Sequence, residues 1–125
     1  MKVLIQYLAV AGAGALGAAL RLFVATMSGR LFGTGFPVGT FIINITGSLF
    51  LGWFLAAIGN RAVSETMRLA ITVGFVGAYT TFSTFMYESN SLIEDGLQIK
   101  ATMNLAGSLI VGLLAVRLGL WLGRG

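Results

Sequence analysis

The sequence predicts an all-α integral membrane protein with four transmembrane helices, the third broken in mid-membrane. Three observations predict it. Hydrophobic residues make up 57% of the 125 residues, charged residues only 10%, and mean hydropathy is +0.92. A soluble domain carries about 25% charged residues, and so short a chain cannot hide that much apolar surface in one core. Four stretches reach the roughly 20 apolar residues that a helix needs to cross the hydrocarbon layer. The third of these holds Gly74, Gly77 and the pair Thr80-Thr81. That is poor material for a continuous helix, because Gly costs about 1 kcal/mol against Ala and Thr hydroxyls capture backbone groups.

The spans fall at about 3–27, 38–58, 69–90 and 99–122, and the whole chain, 1–125, forms a single membrane domain. Lys2 before an apolar run fits a secretory signal. The run continues to Leu20, though, beyond the usual 7–15 residues of a signal's apolar region, so a retained span is expected. The connections, 28–37, 59–68 and 92–98, hold Arg30, Arg61, Glu65, Arg68, Glu94 and Asp95. Four spans put both termini on one side. That side collects Lys2, Arg61, Arg68, Arg117 and Arg124, against Arg21, Arg30 and Lys100 on the other. Charge counting favours both termini inside. The bias is weak enough that insertion in both orientations, and an antiparallel dimer, are also open.

Two segments echo each other at an offset of 60 residues. Asn44-Ile-Thr-Gly-Ser-Leu matches Asn104-Leu-Ala-Gly-Ser-Leu, and Gly14, Gly17 and Ala18 match Gly74, Gly77 and Ala78. Duplicated two-helix units occur in transport proteins, although 18 glycines make chance matches easy. Gly12-Ala-Gly14-Ala-Leu-Gly17 fits a dinucleotide fingerprint in letters, but it lacks the preceding strand and the later acid that the fingerprint requires. It reads better as a small-residue face for close helix approach, as do Gly119 and Gly123.

The chain has no Cys and no His. Zinc, haem and iron–sulfur ligand sets are therefore not expected, nor are thiol or His-based catalysis, and no enzyme is predicted. The eight Lys and Arg are scattered, whereas a nucleic-acid surface would cluster them. The lipid bilayer is the expected partner, and nucleic acid is not.

Polar groups inside lipid need partners or a function. They gather on three spans: Asn44, Thr46 and Ser48; Thr102, Asn104 and Ser108; and Tyr79, Thr80, Thr81, Ser83 and Thr84. Ordinary helix–helix hydrogen bonding explains any one of them; three clusters at similar depth indicate a polar pathway. No acid lies in the middle of a span. Neutral amide and hydroxyl donors without fixed negative charge suit a small anion. Phe82 and Phe85, three apart, share a helix face and can present positive ring edges to it. A broken helix also exposes carbonyls able to hold a cation.

At these residues the sequence resembles the Fluc/CrcB family of fluoride channels. The resemblance rests on Gly77-Ala-Tyr-Thr-Thr-Phe-Ser-Thr-Phe85, on Asn44, on Gly107-Ser108-Leu109 and on Arg21 closing the first span. It implies an antiparallel (dual-topology) homodimer in the cell membrane, with two fluoride pores and a central structural sodium ion. Backbone carbonyls of Gly77 and Thr80 would bind the sodium. Phe82 and Phe85 would line the pores and Asn44 would donate to the anion. Thr81, Ser83, Thr84, Ser108 and Asn104 would contribute polar groups, and Glu88 would stand toward the vestibule. Ala78 and Met86 depart from the family's usual Gly and Ser. The implied function is passive export of fluoride. The alternative is a small four-span coupled exporter, disfavoured because the chain lacks a mid-membrane acid. Gly77 is also expected to be needed for the shape of the break.

Overall fold

A computed structural model describes residues 1–59 and 61–125. Asn60, in the expected 59–68 connection, lies outside the described residues. The described residues are helical: α1 (Lys2–Phe32), α2 (Val38–Ile58), α3 (Glu65–Leu69), a π-helical stretch (Ala70–Val76), α4 (Gly77–Tyr79), α5 (Phe82–Glu94) and α6 (Gln98–Arg124). Four helical runs are long and apolar enough to cross a membrane: α1, α2, the interrupted run Glu65–Glu94, and α6. The first, third and fourth runs extend past their apolar limits into charged flanks, because backbone hydrogen bonding continues beyond the hydrocarbon layer.

The third run breaks where its sequence disfavours helix. Thr80 and Thr81 are extended, at φ −78°, ψ 157° and φ −149°, ψ 117°. The Thr81 hydroxyl then caps α5 by accepting from the Thr84 amide at 3.3 Å, which satisfies one donor at a new helix start. The π-helical stretch ahead of the break has no clear sequence signal. It brings the Gly77 amide within reach of the Thr72 carbonyl, five residues back, as well as that of Gly74.

Glycine contacts set how the runs pack. α1 lies against the third run, and α2 against α6. A Cβ on Gly17 would overlap the Phe75 carbonyl, and one on Gly74 would lie 2.7 Å from the Val10 carbonyl oxygen. On the other pair, a Cβ on Gly52 would overlap the Val116 carbonyl and one on Gly119 the Leu49 carbonyl. Backbones touch at both crossings, as small-residue faces permit. Gly14 and Gly17 thus do what the sequence pattern predicts, while Gly12 faces open space. The segments that echo each other also pack together, Gly14 meeting Gly74. Ile43, Phe54, Val76, Phe85 and Leu92 form the small buried core, and most other large apolar side chains, notably on α1 and α6, face outward.

Candidate functional site

An open groove of about 450 Å³ runs along the break, between α2 and α6. Its polar lining comes from Asn44 and Ser48 on α2, Thr80 and Thr81 at the break, and Ser108 on α6. Phe82 and Phe85 line it too. Among the described residues no charged side chain borders it.

Asn44 holds the break open. Its Oδ1 accepts from the Thr81 amide at 2.8 Å and its Nδ2 donates to the Thr81 carbonyl at 3.0 Å. This paired bond replaces the helical partners that Thr81 gave up. The second N–H of the Asn44 amide remains for a ligand. The family resemblance marked Asn44 as a donor; the bond to Thr81 depends on how α2 meets the third run, which no local pattern encodes.

The same rearrangement releases carbonyls. In an unbroken helix the Thr81 amide would serve the Gly77 carbonyl, and the Thr84 amide that of Thr80. Here Thr81 donates to Asn44, and Thr84 to the Thr81 hydroxyl. Neither carbonyl keeps its helical donor, and hard oxygen donors of this kind suit an alkali cation. The residues therefore fit a sodium ion held by backbone, and Gly77 faces outward, toward the space beyond the subunit. The expectation that Gly77 shapes the break is corrected. Its φ of −61° and ψ of −37° are ordinary helix, and an added Cβ would meet only the Thr72 oxygen, at 3.6 Å. Gly47 is the glycine that the break requires, since a Cβ there would overlap the Thr80 methyl.

Phe82 and Phe85 sit edge to face, with ring centroids 6.3 Å apart and planes at 71°. Phe82 is 70% exposed and Phe85 only 5%. Phe85 is thus held by the subunit's own packing, while Phe82 lacks a cover.

Of the remaining candidates, Ser108 reaches the groove. Asn104 stands behind it, 2% exposed. Its Nδ2 donates to the Ser89 hydroxyl at 2.9 Å, which donates to the Phe85 carbonyl at 2.7 Å. Its Oδ1 faces the Ser108 hydroxyl at 3.5 Å. Asn104 therefore braces Phe85 and Ser108 from within. Ser89, four residues after Phe85 on the same face, was legible only as a helical neighbour. Thr84 bonds the Thr81 hydroxyl at 3.0 Å, and Ser83 is exposed away from the groove. Thr46 bonds the Ile42 carbonyl and the Tyr79 hydroxyl. Thr102 bonds the Gln98 carbonyl. These two serve helix structure.

Glu88, one turn beyond Phe85, borders two smaller cavities at the end of the bundle and accepts a hydrogen bond from the Thr40 hydroxyl. Arg21, expected to close the first span, lies eleven residues before the end of α1, and its Nε donates to the Ala78 carbonyl at 3.0 Å.

Comparison with known proteins matches residues 8–120 to the family described as CrcB-like protein, Camphor Resistance (CrcB). A fluoride-specific ion channel FluC of Maridesulfovibrio salexigens is 42% identical over 120 residues, covering 95% of each chain. One of Chloroflexus aurantiacus is 45% identical over 118 residues, covering 94% of each. One of Acidobacterium capsulatum is 44% identical over 120 residues, covering 95% of this chain and 96% of its own. With the family match spanning nearly the whole chain and four helices able to cross the bilayer, this multi-pass membrane protein belongs to the CrcB family.

Proposed function

We propose that the protein is a fluoride channel that lets the cytoplasmic anion leave passively. The observation that carries this reading is the groove itself: amide and hydroxyl groups and two aromatic rings, with no fixed charge along the lining. Its donors can replace part of an anion's hydration. With no charged side chain in the lining, the ion is not trapped by a salt bridge, since conduction needs binding weak enough to leave. The relatives named above as fluoride-specific channels support the choice of anion. Fluoride enters cells as neutral HF and dissociates inside. A negative-inside potential then favours expulsion of the anion by about 2.3 kcal/mol per 100 mV, so neither a coupled ion nor catalysis is needed. The test is fluoride efflux from liposomes holding the purified protein, with chloride as control. Absence of fluoride flux through folded protein overturns the reading.

The working unit is an antiparallel homodimer with two pores. The groove is open on one side and leaves Phe82 mostly uncovered; a second subunit would close it. The five-to-three distribution of basic residues does not by itself demand two orientations, so this reading rests on the open groove and on family resemblance. A tag on one terminus is expected to be reachable from both faces of the membrane in functional protein. Access from one face alone would exclude the antiparallel arrangement.

A sodium ion held by the Gly77 and Thr80 carbonyls, contributed by both subunits, would tie the two breaks together as a structural cation. Thr80→Ser keeps the carbonyl and the hydroxyl that bonds the Val76 carbonyl at 2.9 Å, and loses only a methyl. It is expected to retain the ion, measured as sodium-dependent melting equal to that of the unchanged protein. Melting independent of sodium in the unchanged protein would remove the ion from the scheme.

Phe82→Ile separates packing from an ion contact. Phe82 is largely exposed in the subunit, so the swap should cost little stability there. Loss of the positive ring edge is expected to lower fluoride flux at least tenfold in a folded dimer. Unchanged flux would return Phe82 to simple packing.

A further inference from the structure

Arg21 lies six residues from the midpoint of the apolar stretch 3–27, or about 9 Å along the axis. That depth is still inside a hydrocarbon core of about 30 Å. A charge there is unfavourable unless it is paired or functional. Arg21 is half-buried, and its one hydrogen bond among the described residues is to the Ala78 carbonyl, at 3.0 Å. The break makes that carbonyl available, because the Phe82 amide, its partner in an unbroken helix, has moved away with α5. A carbonyl dipole orients the guanidinium but does not neutralise it. Among the described residues the only ion pair is Arg68 with Glu65 at 3.9 Å, both at the chain's third-run entrance. Arg21 thus carries a positive charge at hydrocarbon depth with no ion-pair partner among the described residues.

The residue that holds the charge is also close to the groove. Ala78 is two residues from Thr80, so their Cα atoms are within about 7.6 Å, and Thr80 lines the groove. The lining side chains are uncharged, so any fixed charge that reinforces their preference for an anion must come from outside the lining.

We infer that Arg21 is a specificity-determining residue, whose fixed positive charge, docked on the Ala78 carbonyl, makes the neutral groove attract anions and exclude cations. The inference rests on the anion-channel reading. A charge held beside the path raises the local potential for an anion without contacting it, and so without binding it too tightly.

The test uses purified full-length protein in liposomes at constant sodium, reading fluoride flux and the reversal potential in a potassium fluoride gradient. Arg21→Lys keeps the charge and is expected to conduct within about threefold of the unchanged protein, with the same reversal potential. Arg21→Gln keeps a donor for Ala78 and loses the charge. It is expected to lose at least tenfold in flux, with its reversal potential moving from the fluoride value toward zero. Should Arg21→Gln not fold, Arg21→Met, which keeps an unbranched stem and removes the charge, takes its place. It is expected to show the same loss of flux and the same shift of reversal potential. A folded Arg21→Gln protein with unaltered flux and reversal potential overturns the inference and leaves the fluoride reading standing. So does an Arg21→Lys protein as impaired as Arg21→Gln. No fluoride flux through the unchanged protein overturns both.

Discussion

Asn44→Asp is expected to give a folded protein whose fluoride flux is lower by about three orders of magnitude. The two side chains have nearly the same shape, so little packing is disturbed. Two effects act together at the break. Asp keeps an oxygen for the Thr81 amide, now 2.8 Å from Oδ1. It replaces the Nδ2 donor, 3.0 Å from the Thr81 carbonyl, with an oxygen that repels that carbonyl. It also puts an anion on the wall of a groove that otherwise has no charge. Two unit charges 4 Å apart interact by about 4 kcal/mol at an effective dielectric of 20, and each 1.4 kcal/mol is a factor of ten. Asn44→Leu is the companion, losing both bonds to Thr81 without adding charge. It is expected to conduct poorly but better than Asn44→Asp. Near-normal efflux through Asn44→Asp, measured beside the unchanged protein at neutral pH, would remove Asn44 from the ion's path.

Gly119→Val is expected to prevent α2 and α6 from meeting, and with it the formation of folded protein. A Cβ at Gly119 would overlap the Leu49 carbonyl oxygen and lie 2.7 Å from the Trp53 amide nitrogen. Both are backbone atoms of a facing helix, so no side chain can rotate to make room. Overpacking costs roughly 1–3 kcal/mol where side chains can adjust, and more is expected here because the helices must separate. Gly107→Ala is the matched control on the same helix, since a Cβ at Gly107 meets nothing within 4 Å. The measurement is the monodisperse fraction on gel filtration in detergent, with melting temperature. Gly119→Val protein eluting and melting like the unchanged form would show that the crossing is looser than described.

The break and the crossings depend on different kinds of information, and the candidate residues divide accordingly. Hydropathy alone marks the four runs, because a lipid-facing helix must be apolar on its own, whatever its neighbours do. α2 therefore coincides with its apolar stretch, Val38–Ile58. The position of the break was equally local: Thr80-Thr81, after two glycines, carries its own disfavour for helix and its own cap for α5. Asn44, Phe82, Phe85 and Ser108 were legible because polar and aromatic residues in lipid call for a reason, and the structure brings all four to one groove.

What the tertiary structure alone decided is which polar groups serve the groove and which serve the frame. Asn104 and Ser108 belong to one motif, four residues apart on one helix face, yet Ser108 borders the groove while Asn104 is enclosed against Ser89. Arg21 looked like an interfacial charge by its place near the end of an apolar run, and only the approach of the third run gives it the Ala78 carbonyl. Gly77 looked like the hinge, but its backbone is ordinary helix, and the space beside the break is kept by Gly47 on another helix. In each case the deciding partner lies on a different helix, from 15 to 57 residues away in the chain. Helix formation in lipid is determined by each segment's own composition. The role of a polar side chain is determined by which donor or acceptor a neighbouring helix offers it, and that depends on backbone contacts between glycines far apart in sequence.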